Sequence, residues 1–307
     1  MSQRKELTYL SSDGVHTIYA TQWLPEGEIR GVIQIVHGIS EYVDRYGHVA
    51  RFLNDQGYVV CGEDHLGHGR TAGKGELGFF SDRNGWDYVC RDVRRLRELQ
   101  GEKYPDVPYV MLGHSMGSFL TRTYLCRWPG SLDAVVLSGT GQEAAPLVAG
   151  GKALAGMMAV KNPRYVSPVV TALSLGAYNK KFKPNRTRAD WISRDEGAVD
   201  TYLSDPMCTF LPTVSMFRDM MGGLQYIGSA KNLARMDKKT PVYFMSGDQD
   251  PVGAMGEGVQ KVAGMFRKAG CTDVTVKLYP GGRHEMFNEI NKEEVLADLA
   301  VWLEKAI

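Results

Sequence analysis

Six short runs of mostly apolar residues recur along the chain, separated largely by segments whose apolar residues are spaced three or four apart. The runs are GVIQIVHG, YVVCGED, YVMLGHS, LDAVVLSG, TPVYFMSGD and DVTVKLYPGG. Continuous apolar runs of this length are typical of strands buried on both faces of a parallel sheet. The intervening spacing, mostly closed by Gly or Pro, predicts helices. The repeated strand–helix–strand order therefore predicts an α/β fold with a mostly parallel, doubly wound sheet.

The first segment of the chain follows a different pattern. ELTYL and VHTIYATQWLP alternate apolar and polar residues on either side of an SSDG turn. This alternation predicts an N-terminal antiparallel hairpin at the edge of the sheet.

The alternation of strands and helices is interrupted between about Gly141 and Ser229. This stretch contains helix-like pieces, no convincing strand and six of the 14 methionines. An insertion of this length is usually a functional lid or cap. We therefore predict a core of residues 1–140 and 230–307 and a helical cap of residues 141–229. The methionines as a group suggest an adaptable apolar pocket, although each one alone fits ordinary packing.

Composition and charge limit the classes of function. The 307 residues carry a formal net charge of +1, so no global field favours nucleic acid or an anionic membrane surface. The N-terminal sequence MSQRKELTYL lacks the apolar core of a signal peptide, and no run of about 18 apolar residues predicts a membrane span. We expect a cytoplasmic protein with no nucleic-acid partner and no stable membrane insertion. The five cysteines lie far apart, which predicts buried, reduced thiols and neither disulfides nor a zinc site.

A GxSxG sequence, GHSMG, lies at a predicted strand-to-helix junction. Ser115 follows the apolar run YVMLG and precedes the helical pattern MGSFLTRTYLCRW. A sharp turn there needs small neighbours, which Gly113 and Gly117 provide, and it puts the serine oxygen where helix N–H groups favour negative charge. We therefore predict that Ser115 is a nucleophile; the alternative is a small residue in a glycine-rich turn.

A serine nucleophile needs a base and a group that orients the base. In this kind of fold the acid and the histidine follow the serine along the chain, after late strands. His284 lies beyond the last predicted strand and is the predicted base. Asp250, before Pro251 in the preceding loop, is the predicted acid. Asp248 at the same strand end stays open as the alternative acid; if Asp250 is the acid, we expect Asp248 to cap or brace the loop.

The reaction also needs two backbone N–H groups that bind the developing oxyanion. We predict that one comes from Met116, directly after the nucleophile, and the other from Ile39 in the HGISEY loop, where Gly38 allows a close turn. A purely structural turn is the alternative for this loop. His37 and His114 lie beside the same predicted site, and we expect them to shape loops.

The motifs in their order resemble a known family. HGISEYVDRY, DHLGHGRT, GHSMG, GDQDPV and GRHE, with WISRDEGAVDTYLSDP and FRDMMGGL in the predicted cap, are similar to the monoglyceride lipase and lysophospholipase group of α/β-hydrolases. The resemblance covers nearly the whole chain. It implies an α/β-hydrolase fold, a triad of Ser115, Asp250 and His284, and an oxyanion hole formed by Ile39 and Met116. It also implies a cap with a hydrophobic acyl tunnel, and no metal or organic cofactor.

The expected function is a serine hydrolase that cleaves acyl esters through an acyl-enzyme. Monoacylglycerols, lysophospholipids and other small acyl esters are the candidate substrates. The same scaffold also carries aminopeptidase, amidase and thioesterase chemistry, and a peptidase would use acidic cap residues such as Asp190, Asp195, Glu196, Asp200 and Asp205. A binding protein that has lost catalysis is disfavoured, because every catalytic part occurs in order. The basic stretch NKKFKPNRTR in the cap suggests transient contact with a lipid interface.

Overall fold

A single eight-stranded sheet organises the protein, in the strand order β1-β2-β4-β3-β5-β6-β7-β8. The computed structural model describes residues 3–307. The strands are β1 (Gln3–Leu10), β2 (Thr17–Leu24), β3 (Gly31–Val36), β4 (Tyr58–Glu63), β5 (Tyr109–His114), β6 (Ala134–Ser138), β7 (Val242–Gly247) and β8 (Val274–Tyr279). Strands β3 to β8 pair in parallel, whereas β1 pairs with β2 and β2 with β4 in antiparallel register. The predicted parallel sheet and N-terminal hairpin are confirmed.

Helices cover both faces of the sheet and fill the long gap before β7. They are α1 (Gly47–Asp55), α2 (Gly85–Lys103), α3 (Met116–Arg127), α4 (Ala145–Lys161), α5 (Pro168–Leu173), α6 (Leu175–Tyr178), α7 (Glu196–Ser204), α8 (Val214–Ile227), α9 (Ala230–Leu233), α10 (Glu257–Lys268) and α11 (Lys292–Ala306). Short 3-10 turns lie at Val43–Tyr46, Asn179–Phe182 and Met286–Asn288. The buried apolar side chains form two large clusters, one on each face of the sheet.

Burial along the strands matches the predicted pattern except at one edge. Every residue of β3, β4, β5, β6 and β7 is buried, as expected for strands covered on both faces. The prediction of a doubly buried strand is wrong for β8, in which only Tyr279 is buried. The reason is position: β8 is the last strand of the sheet and has a neighbour on one side only.

The helical insertion, which we define as the chain between β6 and β7, carries helices α4 to α9 and, within the described residues, no strand. Its helix α8 packs against α4 and α3. Buried residues of α4 and α8, among them Val148, Ala155, Met216 and Leu224, belong to the same apolar cluster as one face of the sheet. The insertion therefore shares its core with the sheet. No helix within residues 3–307 has both the length and the apolar character needed to cross a bilayer.

Candidate active site

Ser115 lies in a strained turn between β5 and α3. Its backbone has φ 52° and ψ −122°, a conformation that is rare for a residue with a side chain and is found mainly where function requires it. A Cβ at Gly117 would overlap the carbonyl oxygen of Val36, and one at Gly113 would overlap Gly117 and Thr121. The two glycines of GHSMG thus allow α3 to start directly against β3 and β5, and Ser115 precedes its first residue, Met116.

His284 and Asp250 form a buried pair at the ends of β7 and β8. Nδ1 of His284 donates to the Asp250 carboxylate, 3.0 Å from each oxygen. The same carboxylate accepts hydrogen bonds from the N–H of Val252 at 2.9 Å and the hydroxyl of Ser246 at 3.1 Å. With its proton on Nδ1, the ring has Nε2 available to accept a proton.

The electrostatics of this pair favour the charged form of both groups. Burial alone lowers the pKa of His284, but the Asp250 carboxylate outweighs burial, and the pKa lies above the ordinary histidine value. Burial alone raises the pKa of Asp250, but His284 and the hydrogen bonds to the carboxylate bring it below its ordinary value. Asp250 is therefore ionised at neutral pH and can steady a protonated imidazole.

Asp248 has a different environment. Its Oδ1 accepts a hydrogen bond from the N–H of Gly281 at 2.8 Å and one from the Gln249 side chain at 3.2 Å. The structure thus brings Asp250, and not Asp248, against His284. The contacts of Asp248 are those of a residue that braces the turn after β8, which is the role expected for it if Asp250 is the acid.

Two cavities meet at Ser115. The larger has a volume of about 530 Å³ and is lined mostly by apolar side chains of α4, α5, α8 and the loops around them. The smaller, of about 30 Å³, is lined by Ile39, Ser40, Glu41, His114, Ser115, Trp191, Ile192, Tyr202, His284 and Glu285. Ser115 and His284, which are 169 positions apart in the printed sequence, therefore share the wall of one small cavity.

The two residues predicted to supply oxyanion-binding N–H groups also border the larger cavity. Ile39 and Met116 line it together with Ser115. The N–H of Gly38, just before Ile39, donates to Oε1 of Glu41 at 2.5 Å, so this carboxylate fixes the start of the HGISEY loop. The loop lies so close to the turn that carries Ser115 that a Cβ on Gly38 would come within 3.0 Å of the Ser115 Cβ.

A buried charge network behind the small cavity escaped the sequence analysis. Arg45 donates to both carboxylate oxygens of Glu285, at 2.9 and 2.8 Å, and to Glu41 at 2.9 Å. Burial opposes ionisation of Glu285, but Arg45 brings its pKa down to about 2. This network ties the loop of His284 to the loop of Ile39. The four-residue spacing of Glu41 and Arg45, and a carboxylate directly after the predicted base, were the signals in the sequence.

His37 and His114 are buried beside this site, and burial favours their neutral forms. Nδ1 of His37 donates to the carbonyl of Gly38 at 2.8 Å, and its Nε2 accepts from the N–H of His65 at 3.1 Å. Burial lowers the pKa of His37 well below its ordinary value. Burial and the neighbouring His284 lower the pKa of His114 to about 3. Nδ1 of His114 lies 3.2 Å from the hydroxyl oxygen of Ser138. The contacts of His37 and His114 fit the loop-shaping roles expected for them.

Most of the acidic residues and methionines that the sequence analysis singled out in the insertion do not line the larger cavity. Glu143 is the one charged residue among those lining it. The acidic residues that a peptidase would use have other partners: Asp190 accepts from Thr187, Asp195 caps α7, and Asp205 accepts from Tyr42. Of the six methionines, Met220 and Met221 line the cavity, whereas the others, Met157, Met158, Met207 and Met216, do not. Within residues 3–307 no group of His, Cys, Asp or Glu is arranged to hold a metal ion.

The chain is similar to known proteins over most of its length. A family model described as "Serine aminopeptidase, S33" (Hydrolase_4) matches residues 27–291. A monoacylglycerol lipase of Mycolicibacterium smegmatis is 32% identical over 310 residues, covering 98% of this chain and 98% of that protein. A monoglyceride lipase of Mus musculus is 26% identical over 302 residues, covering 97% of this chain and 90% of that protein.

A solved structure is similar over the full length. The crystal structure of a highly thermostable carboxyl esterase from Bacillus coagulans, in complex with glycerol, superposes with a TM-score of 0.92 at 30% identity. The match covers 100% of this chain and 99% of that one. The hairpin, the sheet and the helical insertion thus have counterparts in a single known architecture.

Proposed function

Because the chain belongs to the Serine aminopeptidase, S33 (Hydrolase_4) family and is a monoglyceride lipase-like α/β-hydrolase, we propose that it cleaves carboxylic acyl esters through an acyl-enzyme on Ser115. Its similarity to monoacylglycerol lipases and a carboxyl esterase supports the broader statement that it is an ester-cleaving enzyme. The observation that carries the finer proposal is the 3.0 Å contact between His284 and Asp250 at the cavity that Ser115 also lines.

In the proposed reaction His284 first acts as the base. Nε2 takes the hydroxyl proton of Ser115 while the serine oxygen attacks the ester carbonyl, and Asp250 holds the imidazole by its Nδ1–H. His284 then gives the proton to the departing alcohol, which leaves an acyl-enzyme. A water that loses its proton to His284 attacks this ester, and the acid is released from Ser115 with its proton restored. These residues supply every step, so the proposal needs no cofactor.

The negative oxygen of each tetrahedral intermediate needs hydrogen-bond donors in fixed positions. We assign this role to the N–H groups of Ile39 and Met116. Met116 is the first residue of α3, where backbone N–H groups lack partners within the helix and favour negative charge. The bond from Gly38 to Glu41 supports the assignment, because it removes the competing N–H and leaves that of Ile39.

The two cavities suggest where the acyl chain and the alcohol part of an ester would bind. The larger, mostly apolar cavity suits an acyl chain, and the helices of residues 141–229 that line it would form the cap. The smaller cavity has the carboxylates of Glu41 and Glu285 in its wall, which favour hydroxyl donors and oppose an added anion. We therefore favour monoacylglycerols and similar esters of small polyols over lysophospholipids, whose leaving group carries a phosphate.

We further propose that the enzyme works in the cytoplasm and meets lipid only transiently. All five cysteines are buried and free, which suits a reducing compartment. The basic stretch of residues 179–188 in the proposed cap supplies the charges that would face an anionic interface.

The decisive experiment is covalent labelling. Ser115→Ala should abolish labelling by a fluorophosphonate probe and reduce turnover of a p-nitrophenyl ester at least about a thousandfold. Ser174→Ala is the matched control, because Ser174 lines the larger cavity without facing His284 and should keep full labelling. Undiminished labelling of Ser115→Ala would refute the proposal.

Aminopeptidase activity is a second candidate, favoured by the description of the family model and by Glu143 in the cavity wall. A carboxylate there could bind the free amine of a peptide. Proline p-nitroanilide and p-nitrophenyl esters separate the two readings: an aminopeptidase would prefer the anilide and lose that preference on Glu143→Gln. An esterase would hydrolyse the esters far faster and keep doing so in the variant.

A further inference from the structure

Three residues belong to the walls of both cavities: Ile39, Ser115 and Trp191. The first two have proposed roles in the reaction. Trp191 has none, although it lies at the same junction and comes from the helical insertion. Its large side chain therefore borders both the larger and the smaller cavity.

The ring of Trp191 packs against the proposed base. Its centroid lies 5.0 Å from that of His284, with the two ring planes inclined by 35°. On the side of the larger cavity it also contacts Tyr178, at 5.0 Å between centroids. The backbone adds a further link, because the carbonyl of Trp191 accepts a hydrogen bond from the N–H of His284 at 3.4 Å.

The segment around Trp191 is fastened to the loop of His284. The N–H of Glu285 donates to the carbonyl of Ile192 at 2.7 Å. The Arg283 guanidinium donates to the carbonyls of Asp190 and Ser193. Further along, Arg194 pairs with buried Glu289 at 2.9 Å, and the Ser193 hydroxyl donates to the carbonyl of Asn288 at 2.8 Å. These bonds fix Trp191 relative to the base.

We propose that Trp191 is a positioning residue for His284 and the partition that sets selectivity for the leaving group. This inference rests on the proposed ester hydrolysis at Ser115. An aromatic face beside an imidazole keeps the ring from rotating away from the serine, and it attracts the imidazolium that forms when the base takes a proton. The same side chain limits how large an alcohol fits against Glu41 and Glu285.

Other groups also act on the charge of His284. The titratable and charged residues around it are Asp250, His114, Glu285, Glu41 and Arg45. Asp250 and the two glutamates favour the imidazolium, whereas neutral His114 contributes no charge. A change at Trp191 leaves all of these in place, so its effect on the pH profile can be read separately from theirs.

The first test measures leaving-group selectivity with a fixed acyl chain. In Trp191→Leu the partition is reduced, and the ratio of kcat/KM for a glyceryl ester over a 2-naphthyl ester should fall about tenfold. Trp191→Phe retains an aromatic ring and should stay within about threefold of the wild type. Phe217→Leu is the control, because Phe217 lines only the larger cavity and its loss should leave this ratio unchanged.

The second test is the pH profile of kcat/KM on a single ester. Loss of the aromatic face should move the acid limb of Trp191→Leu to lower pH by roughly half to one unit, with Trp191→Phe restoring most of the shift. If Trp191 only filled space, Trp191→Leu would not shift the acid limb, and Trp191→Phe would have no shift to restore. Circular dichroism and fluorophosphonate labelling of every variant establish that the fold and the nucleophile are intact.

The outcomes separate this inference from the proposed function. If the wild type is labelled at Ser115 and Trp191→Leu keeps both the wild-type ratio and the wild-type acid limb, the role of Trp191 is overturned and the esterase proposal stands. If the wild type resists labelling, the esterase proposal falls, and the inference with it.

Discussion

The two cavities that meet at Ser115 differ in size and in how their walls are held. The smaller, of about 30 Å³, is bounded by charged and polar groups with named partners, such as Glu41 on Arg45 and His284 on Asp250. The larger, of about 530 Å³, has walls of apolar side chains from helices whose outer faces leave Val160 and Val169 exposed. Directional hydrogen bonds fix positions, whereas apolar contacts fix only volume and area. We therefore expect the wall of the smaller cavity to tolerate almost no substitution and the wall of the larger cavity to tolerate many.

The largest effect is expected at the carboxylate behind the base. Asp250→Asn removes the charge that steadies the His284 imidazolium and disturbs its tautomer, and kcat should fall about 10⁴-fold. Steady-state kinetics on a p-nitrophenyl ester measures this. Asp248→Asn is the matched control and should stay within about tenfold, because that side chain bonds to Gly281 and not to His284. Equal losses in the two variants would contradict the assignment.

The next effect concerns stability on the small-cavity side. Arg45→Met leaves Glu41 and Glu285 buried without their cation, which should lower the free energy of unfolding by about 3–5 kcal/mol. The exposed pair of Arg30 and Glu304, 2.7 Å apart, provides the comparison. Arg30→Met should cost less than about 1 kcal/mol. Urea unfolding followed by circular dichroism measures both, and similar midpoints for the two variants would show that the buried network is not stabilising.

The pH dependence of kcat/KM should depend only on the groups around the smaller cavity. The base must be unprotonated to act, and the Asp250 carboxylate holds the pKa of His284 above the ordinary histidine value despite burial. Consequently kcat/KM should fall about tenfold for each unit below an apparent pKa that lies above about 6.5. The acid limb should be the same for short and long acyl esters. A limb that shifts with chain length would mean that the larger cavity also controls the base.

On the apolar side, volume should decide which substrates are accepted. Leu154→Phe adds bulk to a residue that lines the larger cavity, and kcat/KM for long-chain esters should fall about tenfold while short esters are little affected. A series of p-nitrophenyl esters of graded length measures this. Uniform loss across the series would indicate a distorted site and not a filled cavity.

The smallest effect is expected on the outside of the insertion. Val160 is 86% exposed, so Val160→Ser should leave kinetics on dissolved short esters unchanged and stability within about 0.5 kcal/mol. A loss of turnover on such esters comparable to that of Leu154→Phe would show that the outer face of α4 takes part in the site.

Much of the fold could be predicted from the sequence because its signals are local. The apolar runs of β3 to β7 are continuous because both faces are covered, and the hairpin alternates because it lies at the edge. The exception is β8, which was predicted as a doubly buried strand but is the last strand of the sheet and is mostly exposed or half-buried. Thr275 and Lys277, which interrupt the apolar residues of β8, are the local sign of this edge position that the sequence analysis passed over.

Some residues of the candidate site could likewise be predicted from local sequence signals, whereas others could not. The GHSMG motif predicts Ser115 because its glycines and the strand-to-helix junction are adjacent in the chain. The positions of Asp250 and His284 are predicted because their loops directly follow the last two predicted strands. The choice between Asp250 and Asp248 needed the direction of a side chain. Arg45 and Trp191 escaped the sequence analysis because their partners, Glu285 and His284, lie far along the chain.

By itself the sequence determined the alternating architecture, the turn that carries Ser115 and the loops in which its proposed partners lie, since each of these depends on residues that are neighbours in the chain. Only the tertiary structure decided which carboxylate faces the imidazole, how Arg45 joins two loops and that Trp191 packs beside His284 where the two cavities meet. These features depend on distances of a few ångströms between distant segments, which arise only when the sheet and the helical insertion pack together.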